Sequence, residues 1–148
     1  MQHDMVPQLG LGTVLVALTV LVHTIGLITL AHWTPRVASW LKLHQHNVGR
    51  SVVMVTTVLG IFAIHTVEVW IWAAAFDAVG AVKGFENALY ISTVMFSTVG
   101  YGDVVIAPAW RLFASLEAIN GFILIGWSTA YLVGASTRHG PFRQGEHF

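Results

Sequence analysis

Apolar runs without a charged side chain dominate the pattern of residues along this chain. Asp, Glu, Lys and Arg are absent from residues 5–35, 51–67 and 118–137. A helix needs roughly 20 residues, at about 1.5 Å each, to cross the ~30 Å hydrocarbon layer of a membrane. The pattern therefore predicts three membrane-spanning helices, near residues 9–30, 51–76 and 111–135.

A fourth apolar segment, residues 85–97, is too short to cross a bilayer and predicts a re-entrant helix. Glu86 near its start would complement the positive end of that helix. The residues that follow, TVGYG, predict non-helical backbone, which a membrane tolerates only where protein or a water-filled cavity surrounds it. Their glycines permit positive φ angles and close approach of the backbone to a ligand. The predicted fold class is an all-α integral membrane protein with three transmembrane helices, a re-entrant helix and one extended segment.

The composition narrows the functional classes. Hydrophobic residues make up 55% of the chain and charged residues 9%, against about 25% charged residues in soluble domains. The 7 basic and 7 acidic residues balance, which argues against a nucleic-acid partner, and the absence of cysteine excludes disulfides and thiolate sites. No nucleophile elbow, HExxH motif or Walker loop occurs, so we expect a protein that is not an enzyme.

The distribution of cations predicts an orientation. Five of the seven Lys and Arg residues lie in the predicted loop 31–50 or after residue 137. The positive-inside rule places both regions in the cytoplasm. We therefore expect a multi-pass protein of the cell (inner) membrane, with its N-terminus outside and its C-terminus cytoplasmic.

The loop 31–50 has a helical pattern of its own. Thr34 and Pro35 are typical of an N-cap followed by proline in the first helical position. The pattern predicts an amphipathic helix at the lipid interface, with its cations near anionic headgroups, and the alternative is a polar linker. The residues that recur at helical spacing are Val37, Trp40, Leu41, His44 and Val48.

The sequence FSTVGYGD at residues 96–103, placed between the re-entrant helix and the last span, resembles the selectivity filter of potassium channels. The resemblance implies that residues 51–137 form a pore domain of the bacterial and archaeal kind, with an outer helix, a pore helix, the filter and an inner helix. Residues 1–50 would add an N-terminal transmembrane helix and the interfacial helix, and residues 138–148 a short cytoplasmic tail. The implied function is passive, potassium-selective conduction through a homotetrameric pore.

The resemblance also implies roles for single residues. Carbonyl oxygens of the filter, with the Thr98 hydroxyl, would bind K⁺ in place of water, and Asp103 would lie at the mouth beside Gly102. A hydrogen bond from Tyr90 to Asp103 would brace the filter. The implied K⁺-binding carbonyls are those of Thr98, Val99, Gly100 and Tyr101.

The last span would be the inner helix. Gly121 would be its hinge, with Gly126 as a second candidate, although glycines in membrane helices also mark close packing. The residues expected to line the inner pathway share one helical face, and they are Phe122, Ile125, Thr129 and Val133.

Two other functions stay open at this point. The first is a weakly selective cation channel, and the second is a non-conducting membrane scaffold or accessory subunit. An intact filter motif argues against the second, because a scaffold would not need every filter glycine.

Polar residues within the spans need partners. We expect Glu68 to bond to pore-helix backbone or to lie at the headgroup boundary, the alternative being a proton-sensing pair with His65. Glu117 and Asn120 should pack behind the filter against Ser or Thr, rather than line the pore. His23 should hydrogen-bond to another helix. Four further histidines are either solvated or a Zn²⁺ or pH site, and they are His44, His46, His139 and His147.

Overall fold

The computed structural model describes residues 5–40 and 47–139, and within them the chain is helical, without a strand. Its four α-helices are α1 (Met5–Trp40), α2 (Asn47–Ala78), α3 (Phe85–Phe96) and α4 (Arg111–His139), and a short 3-10 helix, Pro108–Trp110, precedes α4. Three segments are long and apolar enough to cross a membrane: Met5–Arg36, Gly49–Ala78 and Pro108–Arg138. The predicted all-α fold, the three spans and the short helix between the last two are confirmed.

Glycines allow the long helices to approach one another closely. α1 packs against both α2 and α4, and α3 packs against the same two helices. A Cβ atom at Gly26 of α1 would lie 2.7 Å from the side chain of Ile64 of α2. A Cβ atom at Gly12 of α1 would lie closer still to the side chain of Leu116 of α4. Membrane helices associate through such small-residue contacts, because lipid tails are as apolar as the helices themselves.

An aromatic core holds α3 between α2 and α4. Trp72, Phe76 and Phe113 are fully buried, and the ring of Phe113 lies 5.1 Å from Trp72 and 5.3 Å from Phe76, between ring centroids. The loop that leaves the filter segment joins this core through Ile106, which is buried. These contacts fix the end of the molecule at which residues 98–103 lie, which we call the filter segment after the motif that they resemble.

The predicted helix start at Thr34 and Pro35 is wrong, because α1 continues through both residues to Trp40. The Thr34 hydroxyl donates to the carbonyl of Leu30 at 2.7 Å instead of capping a new helix. Such side-chain bonds help membrane helices to accommodate an internal proline. Of the predicted interfacial helix, Val48 belongs to α2, while Leu41 and His44 lie outside the described residues.

Candidate functional site: the segment between α3 and α4

The buried face of α3 places the filter segment. Five of its twelve residues are buried against α2 and α4. The Ser92 hydroxyl lies 2.9 Å from the carbonyl of Val69 on α2 and 2.5 Å from a carboxylate oxygen of Glu117 on α4. These contacts join the three helices behind the filter. The expectation that Glu117 packs there against a serine is confirmed.

The backbone turns sharply where α3 ends. The Ser97 hydroxyl donates to the carbonyl of Thr93 at 2.7 Å. The N–H groups of Thr98 and Val99 point back to α3, where they donate to the carbonyls of Met95 at 2.9 Å and Val94 at 3.1 Å. The first amides of the filter segment are therefore bonded to the helix that precedes it.

Positive φ angles occur at every second residue of the filter segment. They are 60° at Thr98, 59° at Gly100 and 76° at Gly102, whereas Val99 and Tyr101 between them have ordinary φ angles. Glycine adopts such angles readily, but a β-branched residue such as threonine does so rarely. Strained backbone of this kind is concentrated at functional sites. A chain that alternates in this way places successive N–H groups on one side.

A hydrogen bond closes the far end of the segment onto α3. The Tyr90 hydroxyl donates to a carboxylate oxygen of Asp103 at 2.7 Å, so the predicted contact exists. This bond lowers the pKa of Asp103 below its ordinary value of 3.8. The same bond raises the pKa of Tyr90 above its ordinary value of 10.0. The two residues thus keep the protonation states that the bond requires over a wide range of pH.

Gly121 touches the last turn of α3. A Cβ atom at this position would overlap the carbonyl oxygen of Phe96 and lie 2.8 Å from its carbonyl carbon and its Cα. Nothing lies within 4 Å of the corresponding position at Gly126. α4 is continuous past both glycines. Gly121 therefore has a packing role in this conformation, and its role as a hinge stays a prediction.

The residues predicted to line the inner pathway lie on one exposed side of α4. Phe122 and Val133 expose 70% and 59% of their surface in the single chain, so the other described helices leave most of this apolar side uncovered. Ile125 is also exposed, and the Thr129 hydroxyl donates to its carbonyl at 2.9 Å. Asn120, on the opposite side of α4, is buried and donates to the Thr19 hydroxyl of α1 at 2.9 Å.

The favoured prediction for Glu68, a bond to pore-helix backbone, is wrong, whereas the contact of the alternative, a pair with His65, is present. Its carboxylate is fully buried between two imidazoles, with His23 Nδ1 of α1 at 2.9 Å and His65 Nδ1 of α2 at 2.8 Å. The expectation that His23 bonds to another helix is confirmed. Sequence reasoning missed Ser128 of α4, whose hydroxyl faces the Nε2 atoms of both rings. A hydroxyl within a span gives no signal of its own, since most bond to their own helix.

Of the other histidines, His44, His46 and His147 lie outside the described residues. The side chain of His139, the last residue of α4, also lies outside them. The prediction that these four are solvated, and its alternative of a Zn²⁺ or pH site, both stay predictions.

Comparison with known proteins identifies the class. The ion channel family matches residues 64–138, which is half of the chain and includes α3, the filter segment and nearly all of α4. The chain therefore belongs to the ion channel family, which points to a channel rather than an enzyme. No curated protein and no solved structure matches the chain. α1 lies wholly outside the matched region, and we call α2, α3 and α4 the pore module.

Proposed function

We propose that this channel conducts K⁺ selectively, through carbonyl oxygens of residues 98–101. The observation that carries the proposal is the alternation of positive and ordinary φ angles at residues 98–102. A trans peptide unit points its carbonyl away from its N–H, and the N–H groups of Val99 and Gly100 both donate to the Val94 carbonyl of α3. The carbonyls of Thr98 and Val99 therefore face away from α3. A ring of such carbonyls can replace the hydration shell of K⁺. The Tyr90–Asp103 bond would hold the ring at its working diameter.

One chain supplies one column of carbonyls, which cannot surround an ion. Closed rotational symmetry would complete the ring, and we propose a homotetramer. Non-helical backbone at membrane depth must be enclosed by protein or water, so exposure in and beside the filter segment of a single chain supports an assembly. Tyr101 and Val99 in the filter segment expose 75% and 54% of their surface, and Phe122 in α4 exposes 70%. Native mass spectrometry in detergent should give four times the 16.1 kDa mass of one chain.

We also propose that the N-terminus lies outside and the C-terminus in the cytoplasm. The excess of Lys and Arg in residues 31–50 and after residue 137 supports a cytoplasmic location for both regions. The filter segment would then face the outside of the cell membrane. A cysteine placed at Gln2 should react with an impermeant reagent in intact cells, and one placed at Gln144 should not.

Ion flux through liposomes tests selectivity. Vesicles loaded with K⁺ and diluted into low K⁺ should take up a tracer. The same experiment with Na⁺ in place of K⁺ should give no uptake. Ba²⁺ should block the uptake driven by K⁺. Equal fluxes of K⁺ and Na⁺ would favour the weakly selective cation channel.

A pair of glycine variants separates a conducting filter from a scaffold. Gly100 has φ 59° and open space around it, so alanine there strains the backbone without a clash. Gly100→Ala should abolish the flux while the protein stays folded. Gly10→Ala, which also adds a methyl group into open space but in α1, is the control and should conduct normally. Absence of flux in the unmodified protein and in both variants would favour the scaffold.

A further inference from the structure

Four polar side chains from three helices meet where α1 joins the pore module. Glu68 of α2 lies between His23 of α1 and His65 of α2, and Ser128 of α4 lies on the far side of both rings. The side chains of Glu68 and His23 are fully buried, whereas His65 exposes 17%. We call these four residues the imidazole cluster. It is distinct from the filter segment and is not required by the proposed selectivity.

The hydrogen atoms in the imidazole cluster can be counted. An ionised carboxylate only accepts hydrogen bonds, so the Nδ1 atoms of His23 and His65 must both carry hydrogen. Their Nε2 atoms lie 3.5 Å and 3.0 Å from the Ser128 oxygen. A neutral ring with hydrogen on Nδ1 needs a donor at Nε2, but a serine hydroxyl has one hydrogen for two rings. With both rings neutral, the imidazole cluster is therefore one hydrogen short.

One added proton completes the network. The ring that receives it donates from Nε2 to the Ser128 oxygen, and the Ser128 hydroxyl donates its own hydrogen to the second ring. Both rings continue to donate to Glu68, so every polar atom of the cluster has a partner. Bonds from a charged donor are the shorter ones, so the distances fit this arrangement with the proton on His65, which lies 3.0 Å from the Ser128 oxygen against 3.5 Å for His23.

The charge leads to the same conclusion. An ionised Glu68 would place a full negative charge at a position with no exposed surface, and residues 51–67 contain no Lys or Arg that could balance it. A buried, unpaired carboxylate within a membrane span is strongly unfavourable. An imidazolium beside it makes the cluster neutral. Histidine is also the side chain that exchanges a proton most readily near neutral pH.

We propose that the imidazole cluster binds one proton, and that this proton docks α1 onto the pore module beside the filter. The ring of His65 lies 5.5 Å from the ring of Phe96, between centroids, and Phe96 is the last residue of α3 before the filter segment. His65 also lines a groove of about 350 Å³ at the surface, together with Ser97, which gives the proton an entrance. Because the folded cluster holds one proton and unfolded histidines release theirs above about pH 6.5, docking is weakened as the pH rises from there.

The other groups around the cluster do not supply the missing charge. Phe96 of α3 and Trp127 of α4, whose ring lies 5.2 Å from His23, contribute no ionisable group. Tyr131 lies one turn beyond Ser128 on α4. Glu117, the carboxylate of α4, bonds to Ser92 and not to the cluster.

A metal ion is the competing occupant. The ligand atoms of the two histidines and Glu68 lie within 4.8 Å of one another. A divalent ion would have to break both hydrogen bonds to Glu68, and it would leave a net positive charge buried among apolar helices. A proton breaks no bond and leaves no net charge. The arrangement therefore favours the proton.

Nitrogen NMR of the purified, histidine-labelled protein tests the proposal directly. At about pH 6.5 one ring of the cluster should give the two similar ¹⁵N shifts of an imidazolium, and the other should give the separated shifts of a neutral ring. His23→Gln and His65→Gln assign the two sets of signals. Two neutral rings at this pH would overturn the proposal, as would a transition metal bound at one per chain.

Thermal unfolding gives a second, independent measurement. The Tm of the unmodified protein should fall as the pH rises from about 7 to about 8.5, by at most about 3–5 °C for each pH unit, because the folded cluster holds one proton there and unfolded histidines hold almost none. In Glu68→Gln the carboxamide removes the charge, so the dependence on pH should disappear. His32→Gln is the control, because His32 of α1 is exposed and bonds to its own helix at Ile28. If Glu68→Gln kept the slope of the unmodified protein, the proposal would be refuted; if that variant did not fold, the NMR result would decide.

Discussion

Replacing Gly121 with alanine tests whether contact between α4 and α3 sets the position of the filter. The added methyl group would overlap the Phe96 carbonyl oxygen and lie 2.8 Å from two further backbone atoms of that residue. Backbone atoms cannot move aside as the end of a flexible side chain can. The variant must therefore separate α4 from the end of α3, immediately before the filter segment.

The expected loss of stability follows from two opposing terms. Alanine in a helix interior is about 1 kcal/mol more favourable than glycine. Overpacking a well-packed site costs about 1–3 kcal/mol, and contact with backbone places this site toward the upper end. The net loss should be about 1–2 kcal/mol. For a chain of this size, that lowers Tm by roughly 2–8 °C.

Gly126→Ala is the matched control. It makes the same chemical change in the same helix, but nothing lies within 4 Å of the new methyl group. Its Tm should stay the same or rise slightly. Both variants should be compared by thermal unfolding in detergent and by K⁺ flux in liposomes, where only Gly121→Ala should lose both stability and flux.

The result also separates packing from a hinge. If Gly121 acted only as a hinge, alanine would stiffen α4 and reduce flux without lowering Tm. A Gly121→Ala protein as stable as Gly126→Ala would therefore refute the packing argument. If Phe96→Gly restored the stability that Gly121→Ala loses, the packing argument would still hold. Glycine at position 96 leaves the obstructing carbonyl in place but frees the backbone to move.

Three further predictions concern hydrogen bonds. Tyr90→Phe removes the bond to Asp103 and should lower the ratio of K⁺ to Na⁺ flux or hasten loss of conduction; unchanged values would exclude a bracing role. Since that bond is lost only as the pH falls through the lowered pKa of Asp103 or rises through the raised pKa of Tyr90, the flux ratio of the unmodified protein should be constant from about pH 5 to about pH 9. Thr19→Val leaves the buried amide of Asn120 without its acceptor and should destabilise the protein by about 1 kcal/mol in thermal unfolding. Thr29→Val, which removes a hydroxyl bonded only within α1, should cost less, and equal losses would contradict the argument.

The spans were predictable because charge is so costly in a membrane that its absence marks a spanning helix. The same reasoning located α3, since residues 85–97 are apolar but too short to cross, and the structure has a helix at Phe85–Phe96. The contact between Tyr90 and Asp103 was predictable only through resemblance to a known motif. Nothing in the spacing of these two residues indicates it without that resemblance.

Interactions between distant helices were not predictable. Glu68 bonds to His23, 45 residues away, and His65 bonds to Ser128, 63 residues away, and both separations are beyond any local pattern. The helix start at Thr34 failed for a related reason. Threonine before proline predicts an N-cap in water, but in α1 the Thr34 hydroxyl bonds to the preceding turn and the helix continues. Local preference yields to the need to pair backbone groups within a membrane.

α1 is attached to the pore module although it lies outside the region that matches the ion channel family. Hydrophobic burial cannot hold two apolar helices together in lipid, so polar bonds and close backbone contacts must do so. α1 has both kinds: Thr19 and His23 bond to the pore module, and Gly12 and Gly26 allow close contact with it. These four residues lie in the N-terminal half of α1 or near its centre. α1 is thus joined to the helices that carry the filter, and a change in its docking would reach the end of α3 through His65 and Phe96.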